Sequence, residues 1–346
     1  METNFNFCFY GTCSDVGKVR KANEDSMGVF DAAVGRVFVV CDGMGGHVGG
    51  QVASQTAVAA IKQFMSSNVF SDPMEAINNA IIAANDAILQ KTREQPDLSG
   101  MGSTCVMLLV TSDGKVYFGH VGDSRIYIVA NHKITQLTKD HSYVQTLVDA
   151  GEITKEQAEQ HPRKNEITNA LGLPQMQAPT LCSEPIEPEA GNCFLLCSDG
   201  LSGMVGDDHI ERLVSKHDIN IQQRAEKLIL MANEAGGKDN ITVQLVEFAV
   251  STAKTKKTNQ NSAKFLNKKI SKKIIVLGTV ILAALAITGA CFALYTNGFR
   301  IGIQKIDTTN DAVEKTDLEL EQPLEIETPD TEPNVEEKPN NENINL

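Results

Sequence analysis

The sequence predicts an α+β fold in which antiparallel sheets pack as a sandwich with helices on the outside. Residues 1–250 alternate short β-like runs with amphipathic helical segments. Successive β-like runs lie close together in the chain, which favours hairpins over the long crossovers of a parallel sheet. The chain has 346 residues and 42% hydrophobic content, enough for a large domain with a real core.

Two helices are predicted over residues 50–65 and 73–92. In both segments apolar residues recur at intervals of three and four, as in Val52, Ala53, Thr56 and Ala57. This spacing places the apolar residues on one face of a helix, which then packs on a core.

The β-strands are predicted over residues 103–110, 115–120, 124–129 and 134–137. Asn131-His132 separates the last two runs and is typical of a tight turn between antiparallel strands. No internal repeat indicates a solenoid or a propeller.

Three aspartates lie at the ends of short apolar runs. Asp42 and Asp199 each follow such a run, and Asp239 precedes one. A carboxylate at the end of a buried strand is costly to desolvate unless a cation or hydrogen bonds compensate it. Oxygen ligands favour magnesium or manganese over zinc, so the pattern predicts a shared hard-metal site.

A glycine-rich turn over residues 42–47 follows the first of these runs and precedes the first predicted helix. Such a turn allows a backbone carbonyl to approach a metal closely. A nucleotide phosphate is the alternative ligand, but the turn lacks the Gly-Lys-Ser/Thr ending of a P-loop. Arg20, Asn23, Glu24 and Asp25 form a further polar cluster, which by itself is also typical of a solvated loop.

Seven motifs in this order resemble the metal-dependent protein phosphatase family, the type 2C serine/threonine phosphatases of bacterial type. The resemblance covers residues 11–250. The motifs are Ser14-Asp15-x-Gly-x-x-Arg20-x-x-Asn-Glu24-Asp25, Asp42-Gly-Met-Gly-Gly-His47, Gly102-Ser103-Thr104, Gly122-Asp123-Ser124-Arg125, Leu137-Thr138-x-Asp140-His141-Ser142, Ser198-Asp199-Gly200-Leu201 and Asp239-Asn240-Ile241-Thr242.

The resemblance implies a four-layer α-β-β-α sandwich with a metal centre at one edge, holding two Mn²⁺ or Mg²⁺ ions. It implies that Asp42 bridges the two ions and that Asp199 and Asp239 hold one of them. Glu24 and the carbonyl of Gly43 would meet the other ion. Two ions that share a carboxylate lower the pKa of the water between them, which supplies hydroxide for attack on phosphorus.

Other roles follow from the same resemblance. Asp25 would act mainly through a metal-bound water, and Asp123 together with Asp199 would form a third, weaker metal site. Arg20 is expected to clamp the substrate phosphate, because its planar fork makes paired hydrogen bonds to phosphate oxygens. Gln51 departs from the glutamate usual in bacterial relatives, with little effect expected on the metals.

A protonated group must help the serine or threonine alkoxide leave, and the sequence leaves its identity open. His47 and His141 are candidates, each with a structural role in its loop as the alternative. Eukaryotic relatives carry a histidine where this chain has Met44, so that role does not transfer to His47 by position. A water on the third metal is another candidate.

Residues 140–173 resemble the mobile flap of the family. A short helix is expected to end at Gly151, and a second to begin with Thr154 as its N-cap. Arg163 and Lys164 would either bind acidic substrates or form an ordinary solvated basic pair.

The segment 274–295 predicts one transmembrane helix. It contains no charge and has about the 20 apolar residues that span a bilayer. A buried core helix is the alternative, but no flanking sequence is suited to pack around it. The preceding segment 251–273 carries eight lysines and no acidic residue. By the positive-inside rule, these lysines place the N-terminal side of the helix in the cytoplasm.

The chain is therefore expected to contain a cytoplasmic phosphatase domain over residues 1–250, a lysine-rich linker, a single membrane span and an extracytoplasmic tail over residues 296–346. The tail carries 13 acidic and 4 basic residues and has too little apolar content to fold alone. Seven of the eight cysteines precede the span and are expected to be free, mostly buried thiols.

Of the net charge of −13, residues 251–273 contribute +8 and residues 296–346 contribute −9, which leaves residues 1–250 at −12. An acidic main domain argues against nucleic acid as a partner. We expect a monomeric, membrane-tethered phosphatase that hydrolyses phosphoserine and phosphothreonine in phosphorylated proteins, with a membrane serine/threonine kinase among its candidate substrates. The alternative is a noncatalytic, metal-stabilised signalling module that binds phosphoproteins. The tail is either passive or a regulatory sensor.

Overall fold

The structure is a computed structural model that describes residues 8–45 and 48–249. Within them, two five-stranded sheets form, and every neighbouring pair of strands is antiparallel. The first sheet contains, in spatial order, β1 (Cys8–Asp15), β12 (Ile241–Phe248), β11 (Cys193–Cys197), β8 (Arg125–Ala130) and β9 (Lys133–Gln136). The second contains β10 (Thr180–Leu181), β7 (Val116–Val121), β6 (Cys105–Val110), β3 (Gly35–Cys41) and β2 (Ser26–Ala32).

A separate two-stranded ladder and seven α-helices complete the described part of the chain. The ladder pairs β4 (Gly43–Met44) with β5 (Gly102–Ser103). The helices are α1 (Gly49–Ser67), α2 (Pro73–Glu94), α3 (Tyr143–Asp149), α4 (Lys155–Glu159), α5 (Asp199–Ser202), α6 (Asp207–Val214) and α7 (Ile221–Glu234), and a short 3₁₀ helix covers Pro96–Leu98.

Three hydrophobic clusters show that the layers are stacked as helices, sheet, sheet and helices. Helices α1 and α2 pack on the second sheet, and α6 and α7 pack on the first. The third cluster lies between the sheets, where Phe38 of β3 and Phe194 of β11 are fully buried. Along β3, Val37 and Val39 face the helices while Phe38 and Val40 face the other sheet. Both faces of this strand are therefore in the core.

The predicted sandwich with outer helices is confirmed. The predicted helices over 50–65 and 73–92 correspond to α1 and α2. The predicted hairpin joins β8 to β9 through Asn131 and His132, whose φ angles of 51° and 56° are those of a tight hairpin turn.

The predicted strand 103–110 is divided in the structure. Ser103 belongs to the small ladder, whereas Cys105 begins β6. Thr104 separates them because its backbone N–H donates to the carbonyl of Asp42 at 2.8 Å instead of continuing the main sheet. This break turns the chain toward the edge where Asp42 lies.

The seven cysteines of the described residues are all free, as predicted, and all but Cys13 are buried. Over the same residues, none of the helices combines the length and apolar character needed to cross a bilayer. The predicted linker 251–273, span 274–295 and tail 296–346 lie outside the described residues.

Candidate metal centre

The three strand-end aspartates meet at one edge of the sandwich. Asp42 directly follows β3, Asp199 follows β11 after Ser198, and Asp239 precedes β12 with Asn240 between them. Burial raises the pKa of Asp42 well above its ordinary range, and the carboxylates of Asp25, Asp199, Asp123 and Asp239 raise it further.

The pKa of Asp199 is also raised, first by burial and then by Asp239. The structure therefore brings together all five predicted aspartates.

Hydroxyl groups fix the backbone of Asp42. Thr104 Oγ1 accepts a hydrogen bond of 2.9 Å from the N–H of Asp42, and Ser103 Oγ donates at 3.0 Å to its carbonyl. The hydroxyl of Thr104 also lies 2.7 Å from the hydroxyl of Ser124, next to Asp123. One threonine thereby links the loops that carry Asp42 and Asp123.

Asp25 is buried and lies close to Asp199 and Asp239. Its Oδ2 accepts a hydrogen bond of 2.7 Å from Ser198 Oγ, whereas its Oδ1 is buried without a hydrogen-bond partner. Burial raises the pKa of Asp25 to about 6, against the opposing effect of hydrogen bonds from Thr242 and Ser198. One oxygen of this side chain is held by the protein and the other remains available.

Glu24 and Gly43 lie close to each other next to Asp42. A Cβ added to Gly50 would lie 2.8 Å from the carbonyl oxygen of Gly43 and 2.9 Å from the carboxyl carbon of Glu24. Both predicted oxygen donors therefore border the same small space, which stays open because position 50 is a glycine. Gly43 N also donates to the carbonyl of Glu24 at 3.2 Å.

Arg20 lies beside this centre and contacts one of its acids. Its guanidinium Nη2 donates to Asp239 Oδ2 at 2.8 Å, and 49% of its side chain is exposed. Asn240 holds the loop that carries Arg20 by donating to the carbonyls of Val16 and Ala22 and accepting from the N–H of Glu24. The guanidinium is thus partly open to solvent on an anchored loop.

Asp123 is a further acid of this group, next to Asp199. Burial raises its pKa to about 7, and the nearby carboxylates of Asp199 and Asp140 act in the same direction. Asp199 Oδ1 is buried without a hydrogen-bond partner. The two carboxylates expected to share a third ion are therefore in electrostatic contact, and one buried oxygen of Asp199 has no hydrogen-bond partner.

These features fit a hard divalent cation. Partly or fully buried carboxylates that repel one another, with unpartnered oxygens on Asp25 and Asp199, are stabilised when a cation neutralises them. Over residues 8–45 and 48–249, no three Asp, Glu, His or Cys side chains converge on one ready-made ion position. The fit therefore rests on charge, donor chemistry and orphaned oxygens rather than on a formed coordination shell.

A cleft of about 890 Å³ lies beside Asp123 and Asp199. One wall is the predicted flap, which contains α3 and α4, and the other is the segment 202–209. Thr154 is the N-cap of α4, as predicted, and Gly151 follows α3 with φ of +72°. The cleft connects the acidic centre with solvent.

Arg163 is engaged within the flap. Its guanidinium lies 3.6 Å from the ring centroid of Tyr143 and makes paired hydrogen bonds to Glu166 of 2.7 and 2.6 Å. The Arg163 side chain is 49% exposed and has two intramolecular partners. Whether Arg163 and Lys164 bind acidic substrates or form an ordinary solvated basic pair stays a prediction.

The sequence did not assign roles to the side chains that support the centre, namely Thr104, Ser198 and Asn240. All three lie within the motifs of the resemblance, and Ser198 and Asn240 are next to an aspartate. These positions were the sequence signal that could have identified them. His141 is placed by the structure at the flap base, bonded to Gly122 and Thr180. The other candidate proton donor, His47, lies outside the described residues.

Comparison with known proteins identifies the class. Residues 18–248 match the family model described as Protein phosphatase 2C. The chain is 40% identical over 238 residues to the serine/threonine protein phosphatase PstP of Mycobacterium tuberculosis, covering 69% of this chain and 44% of that protein. It is 38% identical over 240 residues to the serine/threonine phosphatase stp of Listeria monocytogenes, covering 68% and 93% respectively.

A solved structure of the catalytic domain of PstP, described as a complex with 2 manganese ions, is similar to this fold. The TM-score is 0.61 with 38% sequence identity, over 70% of this chain and 99% of that one. The chain belongs to the protein phosphatase 2C family. It spans less than half the length of the mycobacterial relative, and nearly the whole length of the listerial one.

Proposed function

We propose that this protein is a metal-dependent serine/threonine protein phosphatase that hydrolyses phosphoserine and phosphothreonine in other proteins. The observation that carries the proposal is the group of mutually repelling, at least partly buried carboxylates around Asp42, with Arg20 beside it. Membership of the protein phosphatase 2C family supports the same activity.

The carboxylates and one carbonyl would hold the cations. In this proposal Asp42 would be shared by two ions, Asp199 and Asp239 would hold one of them, and Glu24 with the Gly43 carbonyl would hold the other. The common space that Gly50 leaves between Glu24 and Gly43 supports that last pairing. When bound, divalent ions supply positive charge for the phosphate and lower the pKa of coordinated water.

Asp25 and Asp123 would have separate parts. Ser198 holds Oδ2 of Asp25 while Oδ1 has no hydrogen-bond partner, which suits acceptance of a hydrogen bond from a water. Asp123 with Asp199 would hold a third, weaker ion. Manganese is supported by the relative described with 2 manganese ions, and magnesium shares the same preference for oxygen ligands.

Arg20 would orient the substrate phosphate. Only one of its nitrogens is hydrogen-bonded to Asp239, so the rest of the guanidinium fork is available for two phosphate oxygens. The cleft between the flap and the segment 202–209 has room for the protein segment that carries the phosphorylated residue. A phosphate held at Arg20 would lie against the carboxylates that bind the cations.

The phosphatase would act at the inner face of the cell membrane. The uncharged segment 274–295 and the lysines before it support a single-pass anchor, with the domain in the cytoplasm and the tail outside. A membrane serine/threonine kinase is then a candidate substrate. The full chain should sediment with membranes and resist extraction by high salt, and recovery in the soluble fraction would contradict the anchor.

The activity is tested with matched phosphopeptides that differ only in phosphoserine, phosphothreonine or phosphotyrosine. We expect Mn²⁺-dependent phosphate release from the first two, and strong loss of it in Asp199→Asn. Binding of the phosphothreonine peptide without phosphate release would favour a noncatalytic module. A variant that retained the wild-type rate would show that the assigned site is wrong.

A further inference from the structure

His141 holds both backbone groups of the residue that precedes Asp123. The N–H of His141 donates to the carbonyl of Gly122 at 2.9 Å, and the N–H of Gly122 donates to Nδ1 of the His141 ring at 3.2 Å. The second bond uses a side-chain acceptor, so it depends on the identity of residue 141. His141 is thus tied to this loop by its side chain as well as by its backbone.

The ring of His141 is fixed on its other edges. Its Nε2 lies 2.9 Å from Thr180 Oγ1, and its face stacks on His120 with ring centroids 4.6 Å apart. Since Nδ1 accepts from Gly122, the ring proton belongs on Nε2, where it is donated to Thr180. Burial and the neighbouring His120 lower the pKa of His141 to about 4, which keeps Nδ1 free to accept.

The backbone of Gly122 has little conformational freedom. Its φ of +100° lies in the region that favours glycine, and an added Cβ would lie 2.6 Å from Thr104 Cγ2. On the far side of Asp123, Ser124 is bonded to Thr104 at 2.7 Å. Both neighbours of Asp123 are therefore held by hydrogen bonds: Gly122 is bonded to His141, and Ser124 is bonded to Thr104.

We propose that His141 is a positioning residue that sets the place of the Asp123 carboxylate by accepting the N–H of Gly122, and that it thereby determines the affinity of the third metal site. This inference rests on the proposed function, in which Asp123 and Asp199 hold that ion. The imidazole acts through the backbone and contacts neither substrate nor the reacting atoms. Residues that hydrogen-bond a metal ligand directly change metal affinity by about 10–100-fold, and His141 acts one residue further out, through Gly122.

Two substitutions separate the acceptor from the rest of the ring. In His141→Asn, the amide oxygen occupies nearly the position of Nδ1 and can still accept from Gly122. In His141→Gln, the amide reaches toward Thr180 instead, and the Gly122 N–H loses its acceptor. Thr180→Val is the matched control, because it removes only the partner of Nε2.

The measurement is Mn²⁺ binding by the full chain, followed from the electron paramagnetic resonance of free Mn²⁺. Wild type should bind Mn²⁺ in a tight phase and in a weak phase, the weak phase being the third site. Asp123→Asn should lack the weak phase and serves as the reference isotherm. We expect His141→Gln to weaken that phase by about tenfold or more, and to leave the tighter phase unchanged. His141→Asn and Thr180→Val should stay close to wild type. A wild-type isotherm for His141→Gln, or equal weakening of both phases, would overturn the proposal.

A second measurement uses the wild-type chain and does not depend on how the variants fold. In a Mg²⁺ titration followed by NMR, the Gly122 amide and the His141 ring should shift in the weak phase. If neither shifts while Asp123 is being occupied, the proposal is wrong. Neither readout uses catalysis, so the proposed activity can fail in the phosphopeptide assay while this inference is judged separately by metal binding.

Discussion

Ser198 donates a 2.7 Å hydrogen bond to Asp25, a residue 173 positions earlier in the chain. The N–H of Thr242 donates to the same hydroxyl oxygen at 3.0 Å, which leaves the Ser198 proton directed at the carboxylate. One hydroxyl therefore joins the end of β11, the start of β12 and the acidic loop before β2. It supports the charged form of the most enclosed acid at the site.

Ser198→Ala should raise the pKa of Asp25 further and weaken Mn²⁺ binding, because a buried carboxylate loses its donor. We expect the metal-free chain to lose about 1–3 kcal/mol of unfolding free energy at pH 7. Ser215→Ala is the control, since it also removes a hydroxyl bonded to a carboxylate, Glu211, but near the surface. Urea unfolding measures both variants, and equal losses would argue against a special role for Ser198.

Asn240→Asp should release the loop that carries Arg20. The substitution keeps an acceptor for the N–H of Glu24 but places a carboxylate oxygen against the carbonyls of Val16 and Ala22. We expect destabilisation by at least about 2 kcal/mol and a higher KM for phosphopeptides. Asn192→Asp is the control, because the side-chain oxygen of residue 192 accepts one hydrogen bond, from the N–H of Glu189, and an aspartate can still accept it. An unchanged KM would contradict the anchoring role.

Stability should depend on pH through Asp123. Its pKa of about 7 in the folded chain lies above the ordinary value of about 3.9, so the fold is favoured while the group is protonated. That contribution is lost as pH rises through about 7. His120 and His141, whose pKa values are lowered, act in the opposite direction over the acidic range. The comparison must therefore be with Asp123→Asn.

In metal-free solution, the stability advantage of Asp123→Asn over wild type should grow by at least about 1 kcal/mol between pH 5 and pH 7.5. Saturating Mn²⁺ should reverse the order, because the cation then compensates the wild-type carboxylate. Thermal unfolding in EDTA and in Mn²⁺ measures both effects. If the stability difference between Asp123→Asn and wild type did not change with pH, the surroundings of Asp123 would not disfavour its charged form.

Arg163→Lys should behave more like Arg163→Ala than like wild type. Lysine keeps the charge but cannot both lie flat over Tyr143 and make paired hydrogen bonds to Glu166. We expect looser closure of the flap, seen as a higher KM for a phosphopeptide with little change for a small aryl phosphate. If lysine restored the peptide KM, simple charge attraction would explain the role of Arg163.

Local sequence pattern was sufficient for the elements whose burial is periodic. The outer helices α1 and α2 bury one face each, and the β8–β9 hairpin follows from Asn131-His132. The break at Thr104 was not predictable in this way, because a threonine suits a strand equally well. Its cause is a long-range bond to Asp42.

The candidate site shows the same division. Strand-end positions of Asp42, Asp199 and Asp239 could be read from single segments, and the structure brings these residues together. The contacts of Asn240 and Ser198 join segments more than 170 residues apart, so no local pattern contains them. The packing of Arg163 on the Tyr143 ring likewise joins residues 20 positions apart, which no local pattern contains.

The most direct test of a metal-dependent phosphatase centred on Asp42 is phosphate release from a phosphothreonine peptide by the full chain, in Mn²⁺ and in EDTA, beside Asp42→Asn. We predict release only with Mn²⁺, and a fall of at least about 100-fold in the variant, because Asp42 is proposed to bridge the two ions and its loss would remove several kcal/mol of transition-state stabilisation. Equal release in EDTA, or undiminished release by folded Asp42→Asn, would contradict the account.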